Sequence, residues 1–255
     1  MFTYEIVIDF SEQGYDEDIE QDAYGFLSNF YDSRQIISDC YQFIKSGNKL
    51  KIPVACPEID SLDRKNCSEY ATRYMDRLED RLKRKMEFVQ TGTEVQYEGY
   101  VVPVQSSYYI LYHGKFSPLL CGDTFQPVPL YKIPYTYRDH KCYNDIRTWN
   151  WNYESLYGLW VSGTVGERFA LNQMQVVRSS LSIEGRTICA KIERLTGVPT
   201  YYFLFNYRAW GSKRDFARRC PVTGKSWLIE GATFNHFIAF KSDEARLVSE
   251  LSSNC

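Results

Sequence analysis

The apolar residues change period four times across the first 104 positions, and that succession restricts the chain to a small set of α+β topologies. Phe2, Tyr4, Ile6, Ile8 and Phe10 alternate with Thr3, Glu5, Val7 and Asp9, the period-two signature of a half-buried strand. Over 17–31, Ile19, Ala23, Phe26, Leu27 and Phe30 recur at helical spacing beside an acidic face. Strand candidates at 35–44 and 49–56 flank the turn-prone Ser46-Gly47-Asn48, which joins them as a hairpin. Ser61 or Asp63 can cap a helix reaching residue 88, with Tyr70, Tyr74, Met75, Leu78, Leu82 and Met86 as its apolar stripe. A strand over 95–104 completes the order β-α-β-β-α-β, which predicts a ferredoxin-like domain over 1–104.

Beyond residue 104 the texture becomes mixed. A short strand is expected at 108–112, and prolines and glycines break 117–134 into turns. Helices are expected at 143–161 and 165–195, the second ended by Gly197-Val198-Pro199. Strands follow at 201–207, 227–230, 234–240 and 246–251. The predicted class is α+β: the ferredoxin-like domain, then a mixed domain over 105–255 that ends in a zinc-ribbon-like β segment at about 220–250.

That last segment lacks most of what a ribbon needs. Cys220-Pro221-Val222-Thr223 and Ser242-Asp243-Glu244-Ala245 repeat the spacing of a four-cysteine zinc site. Only Cys220 offers a thiolate. Thr223 and Ser242 carry neutral hydroxyls and Ala245 has no donor, so the segment is expected to be metal-free with Cys220 as a relic ligand, and no cofactor is expected. A rescued site drawn from His113, Cys121, His140, Cys142 and Cys220 is the alternative to be tested.

Two charged constellations stand out against a net charge of only −2, which confines any nucleic-acid site to a local patch. The first 33 residues hold nine carboxylates and no lysine or arginine, and Asp16, Glu17, Asp18, Glu20 and Asp22 form their densest block. Such a block can dock a basic protein partner. Near the ribbon, Arg208, Lys213, Arg214, Arg218 and Arg219 interleave with Tyr207, Trp210 and Phe216, a composition suited to phosphates and unpaired bases. In the bland reading the first block is a solvated helix face and the second a loop anchored by its aromatics.

Catalytic signals are sparse. The chain has no nucleophile elbow, phosphate-binding loop, dinucleotide fingerprint or zinc-protease motif. Cys121 with His113 or His140 is the one conceivable nucleophile and base pair. The eight cysteines are irregularly spaced and read as reduced thiols, and the start of the chain lacks a signal-peptide pattern. A cytoplasmic protein without membrane contact is expected.

The stretches Leu120–Tyr131, Leu195–Tyr202, Cys220–Gly224, Arg246–Ser249 and Cys56–Leu62 resemble a bacterial family of zinc-ribbon-containing proteins associated with nucleic-acid binding. In that family's pattern cysteines stand where this chain has Thr124, Thr223, Ser242 and Ala245. The resemblance therefore implies a retained scaffold whose ligands are gone. Loss of ligands without loss of scaffold points to a surface used for binding. The leading expectation is a non-enzymatic immunity protein that neutralises a toxin domain by direct contact, and the alternative is a nucleic-acid-binding protein using 208–225.

Overall fold

The computed structural model describes residues 1–138, 140–207, 212–233 and 236–252. The chain forms two compact units: residues 1–104 with 115–117 and 126–144, and residues 105–114 with 118–125 and 145–255.

The first unit holds β1 (Phe2–Asp9), α1 (Glu17–Ser33), β2 (Ile44–Ser46), β3 (Lys49–Cys56), α2 (Glu69–Leu82) and β4 (Glu87–Thr93). Its sheet runs β2-β3-β1-β4, and every neighbouring pair is antiparallel. Alternation in β1 sends Ile6 and Ile8 into a core shared with Ile52, Phe26, Leu27, Phe30, Met75 and Leu78, all without exposed surface. Asp16 caps α1 by accepting the Ile19 N–H at 3.0 Å, and Ser68 caps α2 through Ala71 N–H at 3.1 Å. Gly25 lets the helices meet, since a Cβ there would lie 2.6 Å from the Tyr74 ring.

Three sequence expectations for this unit shift. Residues 35–43 form no strand, because the N–H groups of Gln35 and Ile36 turn back to Phe30 O and close α1. Gln35 is then buried, accepting from Ser33 Oγ at 2.8 Å and donating to Ser61 O at 2.8 Å. The long helix stops at Leu82, where Lys83 adopts a left-handed φ of 54°. The last strand accordingly falls on 87–93, and 95–97 becomes a 3-10 turn capped by the Glu94 carboxylate.

The second unit holds β5 (Tyr109–Leu111), β6 (Leu119–Cys121), α3 (Asn144–Ser162), α4 (Glu167–Gln175), α5 (Ser180–Thr196), β7 (Thr200–Phe203), α6 (Ser212–Phe216), β8 (Phe240–Ser242) and β9 (Leu247–Ser249). Its sheet runs β6-β5-β7-β9-β8, with β5, β7 and β9 parallel and both edge strands antiparallel. Helix α5 makes the connection into β7 and packs on it through Gly185. A Cβ at Gly185 would lie 2.3 Å from the Tyr202 ring and 2.7 Å from Trp149 Nε1. Trp149 Nε1 donates to Leu181 O at 3.1 Å, tying α3 to α5.

The single helix expected at 165–195 is two helices. Ser179 interrupts it: its hydroxyl donates to Gln173 O at 2.6 Å and accepts the Ser182 N–H at 3.1 Å, making it the cap of α5. Residues 227–230 supply only a bridge from Leu228 to Phe240; of the strand expected at 234–240, Phe234 and Asn235 lie outside the described residues and Phe240 begins β8, while the strand expected at 246–251 shrinks to Leu247–Ser249. Among the described residues, no helix is long and apolar enough to cross a membrane.

Candidate functional site

A groove of about 490 Å³ opens in the second unit. One wall is apolar, with Val176, Val177, Leu204 and Phe205, and the other carries Arg214, Arg218 and Arg219. Two stretches far apart in sequence meet there. The segment just after β7 delivers Phe205 and Asn206, while α6 and its exit turn deliver the arginines. Arg214 and Arg219 are exposed, as is neighbouring Lys213. Arg218 is sunk lower: its Nη2 donates to Ser249 Oγ at 2.8 Å and Glu250 O at 3.2 Å, and its guanidinium lies over the Phe240 ring at 4.3 Å.

Phe205 also belongs to an aromatic ladder beside the groove. Its ring centroid is 5.0 Å from that of Trp160, which lies 4.7 Å from that of Tyr207, and the planes of Phe205 and Tyr207 differ by only 2°. Tyr157 extends the row at 6.4 Å from Phe205. All four rings are half-buried, held by neighbours yet open on one side. Guanidinium groups beside partly open rings can hold phosphates and stack bases.

Of the basic candidates read from the sequence, Lys213, Arg214, Arg218 and Arg219 lie on or next to this groove, and Arg208 and Trp210 fall outside the described residues. Sequence reasoning missed Trp160, Tyr157 and Phe205. Their only signal was the 16% aromatic content, because α3 and β7 are separated by the 37 residues 163–199 and their meeting is tertiary.

The acidic block is largely answered from within its own unit. Arg81 bonds Asp16 at 3.1 Å and Asp18 at 2.9 Å, Arg77 bonds the buried Asp22, and Arg84 pairs with Asp9 at 3.0 Å and Glu12 at 2.8 Å. These arginines come from α2 and the turn after it, so the local field is far weaker than the charge count of the first 33 residues implies. Glu17 and Glu20 remain at the start of α1, exposed and half-exposed respectively.

At Cys220 the chain makes a tight turn. The N–H of Gly224 bonds Cys220 O at 2.9 Å, and the N–H of Cys220 bonds Lys225 O at 3.0 Å. Burial raises the thiol, but hydrogen bonds from the Thr223 hydroxyl, the backbone at Thr223 and Val222, and the Ser242 hydroxyl together lower it below its ordinary range. Thr223 and Ser242 thus converge on Cys220, but both offer only hydroxyls and Ala245 offers no donor atom, a set that does not fit zinc. Cys121 sits in a parallel arrangement with Ser106 and Thr124, and its thiol is lowered in the same way against the same opposing burial. His113 bonds Glu154 at 2.7 Å and His140 bonds Glu69 at 3.1 Å. Among the described residues, no group of three or more His, Cys, Asp or Glu is placed to hold a metal ion.

The two stretches that build the groove coincide with two family matches. A domain of unknown function (DUF2310) matches residues 103–205, and another (DUF8594) matches residues 211–255. An uncharacterized protein of Haemophilus influenzae is 36% identical over 138 residues, which cover 54% of this chain and 66% of that protein. Another from the same organism is 32% identical over 204 residues, covering 79% of this chain and 77% of its own length. No solved structure matches the chain. With that identity across most of both lengths, the chain belongs to the family of this second Haemophilus influenzae protein.

Proposed function

We propose that the second unit binds single-stranded nucleic acid in the cytoplasm, with Arg214 and Arg219 on phosphates and Trp160, Phe205 and Tyr207 against bases. The observation that carries this reading is that Phe205 is shared between the arginine-lined groove and the aromatic ladder. Phosphate and base contacts then fall on one continuous surface, as strand binding requires. The resemblance to zinc-ribbon proteins associated with nucleic acid supports the same reading. The Cys220 turn and the β8–β9 hairpin support a metal-free ribbon over 220–250. The β2-β3-β1-β4 antiparallel order supports a ferredoxin-like first unit. Anisotropy titration of a labelled oligonucleotide tests the binding. Affinity should fall at least about tenfold between about 50 and 200 mM salt. Arg219→Glu should weaken it at every sequence, and Tyr207→Ala should cost about 1–3 kcal/mol. No binding at low salt removes the reading.

A second reading, an immunity protein engaging a toxin domain, draws on one surface of the first unit. Glu17 and Glu20 open α1, and Tyr24 one turn on is 58% exposed, with its ring edge against Tyr41 at 5.6 Å. Acidic groups around an exposed tyrosine suit a basic protein partner. Charge reversal at Glu17 and Glu20 should slow association with a toxin recovered from the native host. Unchanged association kinetics at low salt would exclude this surface.

A further inference from the structure

A second hollow, of about 560 Å³, lies between α5 and the turn that joins β8 to β9. It belongs to the second unit, and none of its residues lines the groove. From α5 come Arg186, Ala190, Glu193 and Arg194, which share one face at the i, i+4, i+7, i+8 spacing of a helix. Arg186 and Arg194 stand two turns apart, about 12 Å along the axis, with the exposed Ala190 midway. The opposite wall is set by Arg246, which holds a left-handed φ of 50° that a residue with a Cβ rarely adopts. Its own bonds fix it there. Nε and Nη2 donate to the Glu193 carboxylate at 2.9 and 2.7 Å, Nη1 donates to Asp243 O at 2.7 Å, and its carbonyl accepts the Tyr202 N–H at 2.9 Å.

Every carboxylate of the hollow already has a cation. Glu193 is matched by Arg246, Glu244 by Lys225 Nζ at 2.6 Å, and Asp243 by Lys241 Nζ at 3.6 Å together with the Tyr201 hydroxyl. Arg186 and Arg194 are left over. Neither makes a hydrogen bond or an ion pair among the described residues, although Arg186 is half-buried. Withdrawing a guanidinium from water without an acceptor is unfavourable, and a ligand that brings the acceptor removes that cost.

We infer that this hollow binds a phosphate monoester of a small hydroxylated molecule, with the phosphate over Ala190 between Arg186 and Arg194. Two unmatched cations suit a phosphate monoester, which carries about −1.5 to −2 charges near pH 7. Planar guanidinium groups also bond phosphate oxygens in pairs. The hollow is larger than a phosphate group needs and falls in the range of about 300–1,000 Å³ found for small-molecule sites. The remaining space runs along Asp243 and Glu244, whose carboxylates have further lone pairs to accept hydroxyl donors. The preset Arg246 wall lowers the ordering cost of binding.

Calorimetry on the full chain at low ionic strength tests this with glycerol 3-phosphate, inorganic phosphate and glycerol as probes. Glycerol 3-phosphate should bind with a stoichiometry of one and a Kd at least about tenfold below that of inorganic phosphate, because its hydroxyls add bonds to charged acceptors. Glycerol alone should not bind. Arg186→Gln should raise the Kd for glycerol 3-phosphate at least about tenfold. Ala190→Glu should abolish binding by placing a carboxylate where the phosphate sits. That variant should melt no lower than the wild type, since the new carboxylate meets an arginine one turn away on either side, which separates lost binding from lost folding. No binding at low salt, equal affinity for inorganic phosphate, or binding that survives Ala190→Glu each overturns the inference. Binding lost in Arg219→Glu but kept in Ala190→Glu would place the phosphate in the groove and overturns it as well.

Discussion

Single atoms decide what the Cys220 turn can hold. The backbone N–H groups that steady a ligating sulfur are directed at Cys220 Sγ, and Thr223 and Ser242 place their hydroxyls beside it. Replacing Thr223, Ser242 and Ala245 together by cysteine should create a site retaining one zinc per chain, measured by metal analysis, with a melting temperature that drops on chelation. A triple variant that purifies without zinc would show that the turn has drifted from tetrahedral geometry. That Thr223, Ser242 and Ala245 offer zinc no strong ligand was legible from residue identity alone. The hydroxyl contacts were not, because Ser242 reaches Cys220 across 22 positions of chain.

At the scale of elements, caps and close approaches set where helices begin and how near they lie. Ser179 divides 167–196 into α4 and α5, although apolar spacing runs through the whole stretch. Periodicity reports which face is buried and is blind to a hydroxyl that satisfies backbone groups on both sides of a break. Ser179→Ala should cost about 1 kcal/mol in chemical denaturation. Gly185→Ala should cost about 1–3 kcal/mol, because the added methyl meets the fully buried Tyr202 ring, which has no room to withdraw. If Gly185→Ala proves neutral, the contact of α5 with β7 is looser than these distances state. In the first unit, β1 and α1 fall close to the sequence expectation, since each has an unmixed period and, for α1, a strong cap. Strand β4 was displaced because its residues are almost all exposed and carry no apolar alternation to read.

The whole molecule has nearly balanced charge, yet its stability should depend on pH through one half-buried acid. Glu250 has a folded-state value of about 7, raised above its ordinary value of 4.5 by burial. The folded chain therefore binds more protons than the unfolded chain between those values. Its contribution to stability is fully present below about pH 4.5 and is lost as pH rises through about 7. Glu250→Gln should flatten that decline in melting temperature, and a variant with the wild-type slope would place the responsible group elsewhere. The sequence by itself determined the class of the fold and the start of each strongly patterned element, because period and caps are local properties. Only the tertiary structure decided that Arg77, Arg81 and Arg84 answer the acidic block, and that Phe205, Trp160 and the arginines after β7 share one surface. Those pairings bring together residues dozens of positions apart, and their energies depend on distance and burial rather than on sequence order.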